Sequence, residues 1–128
     1  MEIIAKDIMN ENIVITKKTN WVQEVAEKMN TLNVSYVIII DKTKPIGIVT
    51  EKDFATKIIS KGRPLFTEIH EIMSSPLITV SPEKTIRDIA EIMKKKKINK
   101  LPVKKNGKII GMITAIDIVK NSSLDSGT

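Results

Sequence analysis

Gly47-Ile48-Val49-Thr50-Glu51-Lys52-Asp53 returns sixty-four residues later as Gly111-Met112-Ile113-Thr114-Ala115-Ile116-Asp117. The offset holds without a gap from Ile8–Thr56 against Ile72–Lys120. Along it Ile8, Met9, Ala26, Glu27, Met29, Lys44, Gly47, Thr50 and Asp53 meet identical residues, and apolar positions such as Val22 and Ile86, or Ile39 and Val103, coincide. A repeat sets the architecture before any single residue is read. One unit is built twice, so a site is expected twice. A copy of about 60 residues is marginal as an independent domain. The two copies are therefore expected to share one compact module.

Composition narrows the chemistry. The chain has no cysteine, which excludes disulfides, thiolate nucleophiles, iron–sulfur clusters and thiolate zinc sites. Its single histidine, His70, cannot make a two-histidine metal site and is read as a surface or junction residue. With no Gly-rich phosphate loop and no paired acid and base, no catalytic set is found, so the chain is not expected to be an enzyme. No apolar run approaches the ~20 residues of a spanning helix. Met1-Glu2-Ile3-Ile4-Ala5-Lys6 lacks a signal-peptide layout. A cytoplasmic protein without membrane attachment is expected. Net charge is +6. Much of it sits in Lys94, Lys95, Lys96, Lys97, Lys100, Lys104, Lys105 and Lys108, which read either as a solvated lysine-rich face or as a surface for an anionic partner.

Each repeat reads as the same string of elements. A helical turn leads in at residues 6–9 and 70–73, and a short strand follows at 13–16 and 78–80. An amphipathic helix comes next, with Val22, Val25, Ala26, Met29 and Leu32 at helical spacing in one copy and Ile86, Ile89, Ala90 and Met93 in the other. Thr85 with Asp88 three residues on is a helix start signal. Residues 34–40 form a β-branched run suited to a strand buried on both faces. Its mate, 98–104, carries Pro102. Strands at 46–50 and 109–114 follow tight turns, of which Asn106-Gly107 is a strong hairpin signal. A last helix starts at Thr50 and Thr114. The fold class is α/β (α+β): tandem β-α-β-β-α repeats with pseudo-twofold symmetry. The expected boundaries are 1–60 for the first repeat, 61–68 for a Gly/Pro linker, 69–121 for the second repeat and 122–128 for a polar, flexible tail.

Thr50 and Asp53, like Thr114 and Asp117, have the spacing of a helix N-terminal cap, with the glycine three residues earlier permitting close backbone approach. The same geometry serves a ligand. A strand-to-helix junction points free N–H groups and a hydroxyl at the space beyond the strand. A carboxylate there repels phosphate but accepts two hydrogen bonds from a vicinal diol, as acidic residues do for ribose in dinucleotide-binding folds. Cap and ribose grip are compatible.

The series Ile72-Met73, Ile78-Thr79-Val80-Ser81-Pro82, Ile98-Asn99-Lys100-Leu101-Pro102-Val103 and Gly111-Met112-Ile113-Thr114-Ala115-Ile116-Asp117 resembles the cystathionine-β-synthase (CBS) domain. The first repeat resembles the same domain with weaker features, and together they cover about residues 6–121. The resemblance implies a CBS pair, or Bateman module, binding adenosine-containing ligands in clefts between the repeats. It implies that Asp53 and Asp117 hold ribose hydroxyls, with Thr50 and Thr114 near ribose or phosphate. Asn99 and Lys100 are implied phosphate contacts. Thr16 and Lys17, and Thr79, Val80 and Ser81, are implied to line the base pocket, with Tyr36 and Pro102 as further candidate contacts. It also implies a homodimer formed through helices, to which Phe54, Ile58, Ile59, Ile118 and Val119 would contribute.

The copies differ where they are implied to bind. Ser35-Tyr36 stands where the second repeat has Asn99-Lys100, Ile38 where it has Pro102, and Lys17-Lys18 where it has Ser81-Pro82. Unequal clefts are expected. Tyr36 suits either base stacking or packing, and Trp21 is read as a packing or interface residue. The function expected is a non-catalytic sensor that binds AMP, ADP or ATP as a regulatory ligand, requires no cofactor and signals to an effector protein that the sequence does not identify. The alternatives are an S-adenosylmethionine-binding module, a basic nucleic-acid-binding protein, and a structural dimer with vestigial pockets. An aromatic content of 3% gives no stacking platform for single-stranded nucleic acid.

Overall fold

Two sheets follow from the two repeats. The computed structural model describes residues 2–126, with side chains to residue 122. In the first sheet β1 (Ile15–Lys17) runs parallel to β2 (Tyr36–Asp41), which is antiparallel to β3 (Lys44–Thr50). In the second, β4 (Lys100–Lys105) is antiparallel to β5 (Lys108–Thr114). The helices are α1 (Ala5–Ile8), α2 (Val22–Leu32), α3 (Glu51–Asp53), α4 (Ile86–Lys96) and α5 (Ala115–Ser126). A π-helical stretch, Phe54–Ile59, continues α3, and Ile69–Glu71 is a single 3-10 turn. Helix α5 runs into the expected tail at 122–128, of which Gly127 and Thr128 lie outside the described residues.

The periodicities explain these elements. Val22, Val25 and Met29 are the buried stripe of α2, and Ile86, Ile89 and Met93 that of α4. Thr85 caps α4 by accepting the Asp88 N–H at 3.2 Å. Both helices end on a left-handed residue, Asn33 (φ 53°) and Lys97 (φ 56°), the conformation that closes many helices. Asn106 (φ 50°) and Gly107 (φ 79°) form the β4–β5 turn, both left-handed as a two-residue hairpin of that kind requires.

The strand expected at 78–80 is a single bridge, Val80 to Val103, whereas its counterpart β1 pairs over three residues. Pro102 accounts for the difference. In the first sheet the Ile38 N–H donates to Val14 O at 2.9 Å. Pro102 stands at the position of Ile38 and has no N–H to give to Ile78. Only the rung around Val80 survives, with Val80 N–H to Pro102 O at 3.0 Å and Lys104 N–H to Val80 O at 2.9 Å.

The chain packs as two compact units that differ from the two repeats. One is Val14–Leu77; the other joins the described parts of Met1–Ile13 and Ile78–Thr128. Each lead-in therefore packs on the other repeat, and it does so through equivalent bonds. In one unit Ile69 N–H donates to Asn20 O (2.8 Å) and Val22 N–H to Thr67 O (2.8 Å). In the other, Ala5 N–H donates to Lys84 O (2.8 Å) and Ile86 N–H to Ile3 O (3.0 Å). Thr67 O and Ile3 O thus each satisfy an N–H that a helix start leaves without a partner. The lead-ins then add one antiparallel rung to a strand edge, Ser74 with Ile48 and Asn10 with Met112. Met73 and Met9 lie over Gly47 and Gly111, where even a Cβ would come within 2.9 Å of them.

Segment 61–68 is accordingly part of the first unit. Thr67 is buried, Gln23 N–H donates to Leu65 O at 3.1 Å, and exposed Phe66 stands edge-on to Trp21 with ring centroids 6.5 Å apart. Ile69 and Ile72 are fully buried in that unit's core with Val25, Val37 and Ile39. Two such side chains contribute roughly 3–6 kcal/mol by burial, a large share of what a unit this small has. Residues 14–77 expressed alone are therefore expected to retain far more helical and strand signal in circular dichroism than residues 1–60.

Candidate functional site

Each Thr–Asp pair sits where a central strand passes into a helix. Thr50 ends β3 and Asp53 lies in α3; Thr114 ends β5 and Asp117 lies in α5. The pairs close similar loops, with Thr50 N–H donating to Asp53 Oδ2 at 2.8 Å and Thr114 N–H to Asp117 Oδ2 at 2.9 Å. The Asp117 N–H in turn donates to Thr114 Oγ1 at 3.2 Å, completing a capping box. The cap anticipated from spacing is therefore present, and it leaves one carboxylate oxygen of each aspartate for another partner.

That second oxygen is where the repeats part. Asp53 is buried, 7% exposed, and its Oδ1 receives Lys57 Nζ at 2.9 Å. The Lys57 ammonium also donates to Ile72 O at 2.9 Å, and Thr50 Oγ1 lies 3.3 Å from Asp53 Oδ2. Asp53 is thus surrounded by three donors. Asp117 is half-buried, and its Oδ1 has no partner among the described residues. The position of Lys57 is held by Asn121, whose Nδ2 donates to the backbone O of Asp117 at 2.7 Å and leaves the carboxylate alone. Lys57 was not among the residues read from sequence. The signal was there, since a lysine four residues after an aspartate on a helix is a standard ion-pair spacing.

The second repeat gathers its other candidates at the same end of the sheet. Lys100 pairs in register with Thr114, and Asn99 O accepts the Ala115 N–H at 2.8 Å. Lys100 is half-buried, its only polar contact among the described residues being Asn99 Oδ1 at 3.4 Å. An unneutralised cation therefore starts β4 beside the Thr114–Asp117 loop. In the first repeat Tyr36 pairs with Thr50 and is 6% exposed.

The remaining candidates lie elsewhere in their units. Thr16, buried, and Lys17, exposed, line a groove of about 480 Å³ with Asn20, Glu24 and Lys28, and neither Thr50 nor Asp53 belongs to its lining. Thr79 is half-buried, Val80 buried and Ser81 exposed, and Val80 adjoins buried Pro102 through the bridge described above. Of the apolar helix residues expected to be exposed, Ile58 is buried and Phe54 and Ile118 pack against their cores. Of that set Ile59 and Val119 are exposed, and Ile116, outside it, is exposed as well. His70 pairs with Glu68 at 3.0 Å on the surface. Lys94, Lys95, Lys96 and Lys97 are all exposed at the end of α4, and among the described residues none of them is in an ion pair. Among the described residues no cluster of three or more acidic or histidine side chains fit to hold a metal is found, and no helix is long and apolar enough to cross a membrane.

Comparison with known proteins bears on the family and the fold. An uncharacterised protein of Methanopyrus kandleri is 34% identical over 117 residues, which are 89% of this chain and 60% of that protein. A CBS domain-containing protein of Bacillus subtilis, YhcV, is 25% identical over 91% of this chain and 84% of its own length. Among solved structures, the CBS domain pair of protein MJ0100, crystallised with 5′-methylthioadenosine and S-adenosyl-L-methionine, superposes with a TM-score of 0.87 at 25% identity, covering 96% of this chain and 98% of that one. A hexameric CBS-CP12 protein from bloom-forming cyanobacteria superposes with a TM-score of 0.89 at 28% identity, covering 97% of this chain and 74% of that one. The model of the CBS domain matches twice, over residues 5–60 and 69–123, and the chain belongs to that family as a CBS-domain pair.

Proposed function

We propose that this CBS pair is a non-catalytic regulatory module that binds an adenosine-containing ligand, an adenine nucleotide ahead of S-adenosylmethionine. The ligand's ribose diol is held on Asp117. The observation that carries this reading is the state of that carboxylate: one oxygen oriented by the Thr114 N–H, the other without a partner among the described residues. An ionised carboxylate so placed accepts both hydroxyls of a vicinal diol. Lys100, beside it in register, supplies the cation that the phosphate of a nucleotide needs and that the sulfonium of S-adenosylmethionine would oppose. The binding of 5′-methylthioadenosine and S-adenosyl-L-methionine by MJ0100 supports adenosine as the common element. Signalling requires that the ligand prefer one of two states of the module and that a partner protein read the difference. A homodimer joined through exposed Ile59, Ile116 and Val119 is part of this proposal, to be checked by sedimentation.

Calorimetry with AMP, ADP, ATP, adenosine and S-adenosylmethionine tests the reading, and no binding of any of them at millimolar concentration overturns it. Lys100→Ala is expected to weaken AMP about tenfold, one charge-assisted contact, and to leave adenosine nearly unchanged. The unpaired lysines at the end of α4 favour one competing reading, a polyanion surface. Its mark would be nucleic-acid binding that falls steeply with salt.

A further inference from the structure

The two aspartates are the same residue in the same motif, yet one of them already has an occupant. From this we infer that Lys57 is a latch that closes the first-repeat site to diols, so that the chain binds one adenosine ligand, at Asp117, rather than two. The inference rests on the reading of Asp117 as the ribose grip.

The argument is one of hydrogen-bond capacity. A diol needs two acceptor positions on the carboxylate. On Asp53, Oδ2 takes the Thr50 N–H and lies within reach of its hydroxyl, and Oδ1 takes the Lys57 ammonium. The ammonium is itself anchored at a second point, Ile72 O, in the lead-in that packs against this repeat. A ligand hydroxyl must displace a charge-assisted bond from a mostly buried carboxylate and leave Lys57 with the carbonyl alone, and a neutral diol offers no charge in return. In the second repeat no such exchange is needed, because Asn121 bonds to the backbone of residue 117 instead. Position 57/121 thus separates a closed copy of the motif from an open one, and the backbone bond from Thr N–H to Asp Oδ2 is common to both.

A reciprocal exchange of side chains tests this. Lys57→Asn gives the first repeat the residue of the second and is expected to raise the calorimetric stoichiometry for AMP or adenosine from one per chain to two. Asn121→Lys places an ammonium four residues after Asp117, with Ile8 as the counterpart of Ile72. It is expected to weaken the wild-type site by at least about tenfold, the loss of a charge-assisted acceptor. Lys57→Gln serves as a second opening variant if Lys57→Asn melts below the assay temperature. A wild-type chain with two equivalent sites, or Lys57 variants that keep one, overturns the latch while leaving the adenosine reading intact. Absence of binding in wild type and all variants overturns the adenosine reading itself. A ligand-free measurement stands beside these. In nitrogen-15 spectra of the lysine ammonium groups, Lys57 is expected to exchange slowly while Lys94–Lys97 do not, and a Lys57 signal as labile as theirs overturns the latch whatever the protein binds.

Discussion

Asp117→Ala is expected to weaken an adenosine ligand about 100-fold, and the same truncation at Asp53 to read out in stability instead. The two figures have separate origins. Two ligand hydroxyls on an ionised acceptor are worth at least about 1.5 kcal/mol each, and about 3 kcal/mol is a factor of roughly 100 in affinity. Asp117→Ala also removes the acceptor of the Thr114 N–H, a capping loss of about 1 kcal/mol, a few degrees in Tm. At Asp53 the carboxylate is buried and neutralises Lys57, so its removal leaves an anchored ammonium without its anion and the Thr50 N–H without its acceptor. Breaking such a partly buried pair costs about 2–4 kcal/mol, a fall in Tm of roughly 10 °C for a chain of this size. Thermal melts and calorimetry on the two variants separate the roles. A 100-fold affinity loss in Asp53→Ala with none in Asp117→Ala would reverse the assignment.

This asymmetry marks how far the sequence could be read. The repeat, the buried β2 run, the Thr85 cap and the Asn106-Gly107 turn depend on neighbours within a few residues, and they appear where periodicity and turn chemistry place them. The Thr–Asp loops are local in the same way. Pro102 carried its consequence openly, since a residue without an N–H cannot hold a parallel partner at Ile78, but that consequence needed the register to be known. The exchange of lead-ins could not be read at all. Met9 and Met73 are identical, as are Gly47 and Gly111, so either methionine fits either glycine on paper. Which pairing forms is decided by the path of the chain and not by side-chain chemistry. The stretch past Asp53 winds as a π-helix that buries Ile58 and leaves Ile59 exposed, so of these two residues, both offered by the resemblance as dimer contacts, only Ile59 is on the surface.

Gly47→Ala is expected to lower stability by about 3 kcal/mol and Tm by roughly 10 °C. No left-handed backbone is involved at Gly47; the demand is for space alone. A Cβ there would lie 2.6 Å from Met73 Sδ, 2.9 Å from Met73 Cγ and 2.8 Å from Ser74 O. The sulfur can swing away, but the carbonyl cannot move freely, because it accepts the Ile48 N–H at 3.1 Å in the rung that fixes the lead-in to β3. Overpacking of this kind costs about 1–3 kcal/mol, and loosening the two backbone bonds of the rung adds about 1 kcal/mol each. Adding Met73→Ala to the variant should therefore recover only part of the loss, since Ser74 O still stands in the way. The same double substitution identifies the pairing of lead-in and repeat. Gly47→Ala should couple energetically to Met73→Ala and not to Met9→Ala, because residues without shared partners add independently. Coupling to Met9 would mean instead that each lead-in packs on its own repeat.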